Sequence, residues 1–300
     1  MGRILEMYAC LDIGGTSIKV GISDKNGNLT NKDNLKVSDE FSVIIDGIVN
    51  WIEEIRKSYD IEGIAISAPG AVNSKTGVIG GASALPCIHG PNWKEILCEK
   101  TGLPISIEND ANCAALAEAF SGKGKDLNDI LFVVCGTGIG GAIIKDGKIH
   151  HGKHLHGGEV GYMLMEESNG EYLNFSEVAS TMSFVRKVRK HYNDDSWNGE
   201  SVFEAAEKGD EVCRGAIDTF YKNLAKGIFN LQHIYDPEII LLGGAISNRE
   251  DFIDRINEKL LMIREKINID TLMPKIDTCT HKKDANLVGA LANFLMEHGE

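Results

Sequence analysis

Asp12 stands just ahead of Gly14-Gly15-Thr16 in the run LDIGGTSIKVGI, residues 11–22. A carboxylate at that point suits Mg²⁺, a hard cation that takes oxygen ligands and usually keeps several waters. A second run, VVCGTGIGGAII at 133–144, repeats the plan: apolar strand, Gly/Thr-rich turn, apolar strand. Glycines lack Cβ atoms, so their N–H groups can close on an anion as a nest, and Thr16 and Thr137 add hydroxyl donors. One such run reads as an ordinary tight turn; two, with an acid in the first, point to a phosphate cradle. Gly136, Gly138 and Gly141 also fit G-x-G-x-x-G, but a dinucleotide site needs a helix next, to hold the pyrophosphate. A strand and an Asp146-Gly147 hairpin signal follow instead. The sequence has no G-x-x-x-x-G-K-[ST] and no HRD or DFG, which excludes a P-loop and a protein-kinase fold.

The elements that must carry these turns are legible from periodicity. Apolar stretches predict strands at 8–12, 17–23, 61–67, 105–108, 130–135 and 239–242. Val43, Ile44, Ile48, Trp51, Ile52 and Ile55 have helical spacing and predict a helix over 41–59. Further helices are expected at 111–120, 177–192, 210–235, 249–267 and 287–296. Asn26-Gly27 and Asp146-Gly147 mark hairpins. Hairpins among alternating strands and helices predict an α/β fold with mixed sheets. The echo between 11–22 and 133–144 points to two domains of related topology facing a shared cleft.

Composition sets the frame. Three hundred residues suffice for two domains. The net charge of −13 speaks against nucleic acid and anionic membranes as partners, since both call for a basic face. No apolar run reaches 18 residues, and the N-terminus lacks a signal-peptide core, so a cytoplasmic protein is expected. The seven cysteines are odd in number and form no CxxC pair, which fits reduced thiols.

At this point the chain resembles the ROK-family sugar kinases. The resemblance rests on DIGGT-x-IK, SAPG (67–70), ENDANCAALAE (108–118), GTGIGGAI (136–143), GGEVGYM (157–163) and DPEIILLGG (236–244), in that order, and spans about residues 8–295. It implies an actin-like ATPase fold: two ribonuclease-H-like domains with mixed sheets around a central cleft for ATP and a sugar. The expected domains are 1–118 plus 286–300, with the first loop and the catalytic Asp, and 119–285, with the second loop and the adenosine site. Asp110 becomes the catalytic base that takes the sugar hydroxyl proton. The residue-level alternative is that Asn109 or Asp110 only caps the following helix. Asn109, Glu159, Glu177 and Gly70 are the implied sugar contacts; for Glu177 the alternative is an acid favoured by a helix N-terminus. Asp12, Gly14, Gly15, Thr16, Lys19, Gly136, Thr137, Gly138, Gly140, Gly243 and Gly244 are the implied nucleotide contacts, with Asp12 reaching Mg²⁺ indirectly. The family's repressors carry an N-terminal helix-turn-helix; with seven residues before the first strand, a DNA-binding repressor is not expected. The family is commonly dimeric, so a homodimer is expected.

One family feature is missing. The usual pattern places His after GE-x-G and a CxCGxxGCxE run beyond it, giving a structural zinc. Tyr162 occupies the His position, and MLMEESNGEYLNFS (163–176) has no cysteine. No structural zinc is expected, and packing by Met163, Leu164, Tyr172, Leu173 and Phe175 is expected to hold the loop. His150, His151, His154 and His156 lack a carboxylate or cysteine partner in sequence and are read as a non-metal group, one or more of which borders the sugar pocket. The zinc-less pattern with GYML resembles the β-glucoside kinases, which phosphorylate the 6-hydroxyl of the non-reducing glucose. N-acetylmannosamine kinase and glucokinase are the alternatives within the family. A non-catalytic sugar sensor is the alternative outside enzymes.

Overall fold

The computed structural model describes residues 6–268 and 272–299. The chain opens with β1 (Met7–Ile13), β2 (Ser17–Asp24) and β3 (Leu29–Lys36), then α1 (Phe41–Ile55) and β4 (Ile61–Ala68). A small hairpin, β5 (Ala71–Asn73) and β6 (Val78–Gly80), precedes α2 (Trp93–Thr101), β7 (Ile105–Asn109) and α3 (Asp110–Ser121). Next come β8 (Ile130–Cys135), β9 (Ile139–Lys145), β10 (Lys148–Ile149) and the hairpin β11 (Leu164–Ser168) and β12 (Glu171–Asn174). Helices α4 (Phe175–Ala179), α5 (Thr181–Tyr192), α6 (Gly199–Glu207) and α7 (Glu211–Tyr235) follow. The described chain ends with β13 (Ile239–Gly243), α8 (Phe252–Ile267), β14 (Ile276–Thr278) and α9 (Ala285–His298).

The chain divides into two compact units. One takes the residues up to Asp126, His151–Gly157 and the residues from Lys283 on; the other takes Leu127–His150 and Gly158–Lys282. These limits differ from the expected 1–118 and 286–300. Helix α3 runs past 118, and 151–157 packs with the first unit although both its chain neighbours belong to the second.

Each unit is built on a five-stranded sheet, ordered β3-β2-β1-β4-β7 in the first and β10-β9-β8-β13-β14 in the second. The pairings match as well: two antiparallel, then two parallel. The echo in sequence is therefore a repeat of topology. β1 is buried along its whole length because both faces of its sheet are covered. Ala9, Leu11 and Ile13 join Ile44, Ile48 and Ile52 of α1, while Tyr8 and Cys10 face Leu291 and Phe294 of α9. Gly63 in β4 admits the Phe294 ring, since a Cβ there would lie 2.1 Å from it. In the second unit Phe175, Phe184, Phe220 and Tyr221 form the aromatic centre of the core.

Several expectations on elements change. β3 was not expected: LTNKDNLK is a polar edge strand, and charged residues are what protect an exposed edge. Helix α2 was also missed, although Asn92 caps it by accepting from the Glu95 amide and Gly102 ends it in a left-handed turn. The single helix expected over 177–192 is two, broken at Ser180, whose backbone is extended. Among the described residues no helix is long and apolar enough to cross a membrane.

Candidate active site

In the first unit the chemistry collects at the carboxyl ends of the parallel strands. Register pairs Asp12 of β1 with Ser67 of β4, and Ser67 with Glu108 of β7, so one row across the sheet carries all three. In open α/β sheets this is the edge where ligands bind. Asp12 is 6% exposed. Its Oδ1 accepts from Ser67 Oγ (3.1 Å) and Asn286 Nδ2 (2.9 Å), and its Oδ2 meets Lys19 Nζ at 3.2 Å. Three donors from β4, α9 and β2 thus hold one carboxylate. Asn286 escapes a sequence reading because it lies 274 residues from its partner.

The first glycine turn is closed by Gly14 N donating to Ser17 O at 3.0 Å. A Cβ on Gly15 would sit 2.9 Å from that of Ala84, so packing also demands this glycine. Thr16 is exposed at the tip.

Asn109 and Asp110 form the junction of β7 and α3. Asn109 is the N-cap: its Oδ1 accepts from the Ala111 and Asn112 amides at 3.0 and 3.2 Å. Its Nδ2 donates to Gly70 O at 3.0 Å, which joins two of the implied sugar contacts. Asp110 begins α3 half-buried, with Oδ1 accepting from the Ala111 amide at 2.8 Å. Capping therefore falls to Asn109, and the Asp110 carboxylate sits on the strand edge that also carries Asp12. Burial pushes the nearby Cys113 thiol well above its ordinary range, and Glu108, Asp12 and Asp110 push it further. Those three carboxylates therefore share one electrostatic neighbourhood.

In the second unit the glycine turn again lies at the carboxyl end of a central strand, β8. Gly136 N donates to Gly138 O at 2.9 Å. A Cβ on Gly136 would meet nothing within 4 Å, so the turn opens onto free space on that side. Thr137 and Gly138 are exposed. A Cβ on Gly140 would approach Val134 to 3.0 Å, so this glycine serves strand packing. Gly244 ends β13 beside the same turn, and Gly243 lies against Phe132.

Two residues that the sequence reading passed over brace this turn. Ser176 Oγ accepts from the Ile139 amide (2.9 Å) and donates to Ile139 O (3.2 Å). The Thr181 amide and hydroxyl both donate to Gly136 O. The break at Ser180 is what brings the Thr181 amide to that carbonyl. Both flank Glu177 in FSEVAST, so the motif held the braces as well as the implied sugar contact.

The two acids implied as sugar contacts, Glu159 and Glu177, are both exposed. Glu159 precedes the 3₁₀ turn Val160–Tyr162. Glu177 forms a capping box with Asn174: its Oε2 accepts from the Asn174 amide at 2.8 Å, and its own amide donates to Asn174 Oδ1 at 3.0 Å. The helix-terminus alternative is thus realised in the structure. The loop after Tyr162 is also held differently from expectation. Leu164 and Tyr172 are 66% and 65% exposed, and Met165 with Phe175 fills the core beneath the β11–β12 hairpin. Of the four histidines, 150, 154 and 156 are exposed, and His151 reaches the buried Glu108.

The implied ligands can be tested against these features. A turn opening onto free space at Gly136, with amides and Thr137 at its rim, fits a phosphate chain. An oriented, buried carboxylate at Asp12 fits a hydrated hard cation.

Two units of repeated mixed-sheet topology, each with a glycine turn on its central strand, define an actin-like ATPase fold. The ROK family model matches residues 8–297, and the chain belongs to the ROK family. It is an ATP-dependent sugar kinase. The chain is 37% identical to the β-glucoside kinase of Listeria monocytogenes over 298 residues, covering 96% of this chain and 97% of that one. It superposes with TM-score 0.90 on a ROK family protein from Streptococcus pneumoniae TIGR4 in complex with sucrose, at 39% identity over 97% and 98% of the two chains. A ROK family glucokinase from Streptomyces griseus in complex with glucose and AMPPNP gives TM-score 0.75 and 25% identity over 95% and 98%.

The Ser176 brace carries a first prediction. Ser176→Ala removes the bonds to both backbone groups of the buried Ile139. Loss of one such bond costs roughly 1–1.5 kcal/mol, so KM for ATP should rise by about tenfold with KM for the sugar little changed. Steady-state kinetics with each substrate varied in turn checks this, and an unchanged KM for ATP would remove the brace from the nucleotide site.

Proposed function

We propose that this kinase transfers the γ-phosphoryl group of ATP to the 6-hydroxyl of a β-glucoside such as cellobiose. The observation that carries this reading is the 37% identity to a β-glucoside kinase across nearly the whole of both chains. A disaccharide in the Streptococcus pneumoniae relative supports an acceptor larger than one ring. Tyr162, 74% exposed where the family has a zinc-bound His, supplies an aromatic surface on which a second sugar ring can stack.

Asp110 accepts the proton of the attacking hydroxyl, and Asn109, fixed by Gly70, orients the sugar with Glu159 and Glu177. The Gly14–Thr16 and Gly136–Gly140 turns take the phosphates, and Gly243-Gly244 lets the adenosine approach. Asp12 would hold Mg²⁺, which would supply positive charge against the phosphoryl oxygens. Lys19 joins this group through its contact with Asp12. Zinc has no part in this scheme, since a hairpin replaces the cysteine-bearing loop. Seven free thiols accord with a reducing, cytoplasmic compartment. The homodimer implied by the family is checked by light scattering.

Coupled ATP-consumption assays on cellobiose, sucrose, glucose, N-acetylmannosamine and fructose decide the acceptor. Cellobiose is expected to give the highest kcat/KM, with the phosphate on the non-reducing ring. Turnover of N-acetylmannosamine or glucose alone would overturn the β-glucoside assignment. Tight sugar binding without any turnover would make the chain a sensor.

A further inference from the structure

Glu108 is fully buried at the end of β7. A carboxylate withdrawn from water persists only with compensating partners. Its Oε1 accepts from the Asn109 amide (2.7 Å) and Asn112 Nδ2 (2.9 Å), both part of the turn that carries Asp110. Its Oε2 meets His151 Nε2 at 2.7 Å. His151 is the sole titratable group among these three donors. It arrives on the 151–157 segment, which closes on itself through Gly157 N donating to His151 O at 2.9 Å.

We infer that His151 is a positioning residue of the transfer reaction: by donating from Nε2 to Glu108 it keeps that carboxylate compensated and the Asn109–Asp110 turn fixed. This rests on Asp110 being the base. Two charged groups face the imidazole, Glu108 from β7 and Lys75 from the β5–β6 turn. The bond to Glu108 raises the His151 pKa above its ordinary value, while burial and Lys75 oppose the rise. Protonated, the imidazolium cancels the buried charge. Without it, the Glu108 carboxylate keeps only the two neutral donors on Oε1, and its charge lies in the neighbourhood of Asp110. A like charge there disfavours the ionised base and raises its pKa. A weaker Oε2 partner also loosens the grip of Oε1 on the turn, and a misplacement of about 1 Å can cost on the order of 100-fold in rate.

The test uses the full-length protein with ATP and the best acceptor sugar. His151→Gln keeps an amide donor and removes the charge. It should lower kcat by about 10-fold to 100-fold and move the acid limb of the kcat–pH profile upward by about one pH unit. Adding Glu108→Gln to that variant removes the stranded charge and should return the acid limb toward the wild-type position. In the wild-type protein, NMR titration should place the His151 midpoint above about 6.5, and Glu108→Gln should bring it down. An acid limb that does not move in His151→Gln, or a His151 midpoint at or below 6.5, overturns the positioning role. Failure of the parent reading looks different: an Asp110→Asn variant with near-native turnover would remove the base itself.

Discussion

Asp110→Asn is expected to fold as the wild-type protein does and to lose on the order of 10²–10⁴ in kcat, the usual contribution of a positioned general base. The structure separates the two roles this residue could have. Helix α3 is capped by Asn109, whose Oδ1 takes the Ala111 and Asn112 amides. The Asp110 side chain accepts from the Ala111 amide, and an asparagine Oδ1 can do the same. The substitution therefore removes the carboxylate's basicity and keeps this amide bond. Its thermal midpoint should stay close to wild type, and KM for both substrates should change little, because the lost interaction belongs to proton transfer in the transition state. Stopped assays long enough to see residual turnover, paired with a thermal melt, make the measurement. A folded variant with near-native kcat would exclude Asp110 as the base.

Gly244→Ala should have the largest effect on stability among single-methyl changes at the nucleotide side. Gly244 has φ +99° and ψ 162°, a region open essentially to glycine alone. Its added Cβ would lie 2.1 Å from the carbonyl oxygen of Cys135, the residue before the second glycine turn. That obstacle is backbone inside a central strand and cannot swing aside. Strain of about 1–3 kcal/mol and overpacking of about 1–3 kcal/mol combine to roughly 2–6 kcal/mol. That is a large part of the margin of an ordinary domain. A fall in thermal midpoint of about 5–15 °C is expected, with weakened ATP binding, since the displaced atom leads directly into Gly136. Calorimetry with and without ATP checks both. A midpoint within about 2 °C of wild type would mean that β13 shifts freely.

The sequence and the structure agree best where local chemistry is strong. The glycine turns, Asp12, the β7–α3 junction and the apolar strands could be read directly, because Gly-rich turns and uninterrupted Ile/Val/Leu runs have few alternative uses. Reading failed where the signal was polar or divided. β3 alternates charges on a sheet edge and looks like loop. The 177–192 segment has continuous helical character, yet it breaks at Ser180 to deliver Thr181 to the Gly136 carbonyl. Glu177 closes a capping box, so the same position serves the helix terminus while its role toward the sugar stays a proposal. Leu164 and Tyr172 were expected inside; hairpin alternation turns them out and puts Met165 in.

By itself the sequence determined the two repeated strand–turn–strand units, the glycine turns within them, and the acids Asp12 and Asp110 at the strand ends. These follow from residues within a dozen positions of one another, where backbone geometry and side-chain chemistry are fixed locally. Tertiary structure alone decided which partners hold the residues of the site. Asn286 on Asp12, Gly70 on Asn109, Ser176 on Ile139 and His151 on Glu108 are partners dozens to hundreds of residues apart. A buried carboxylate must find compensation wherever the fold brings a donor within reach, and no spacing in the sequence records that distance.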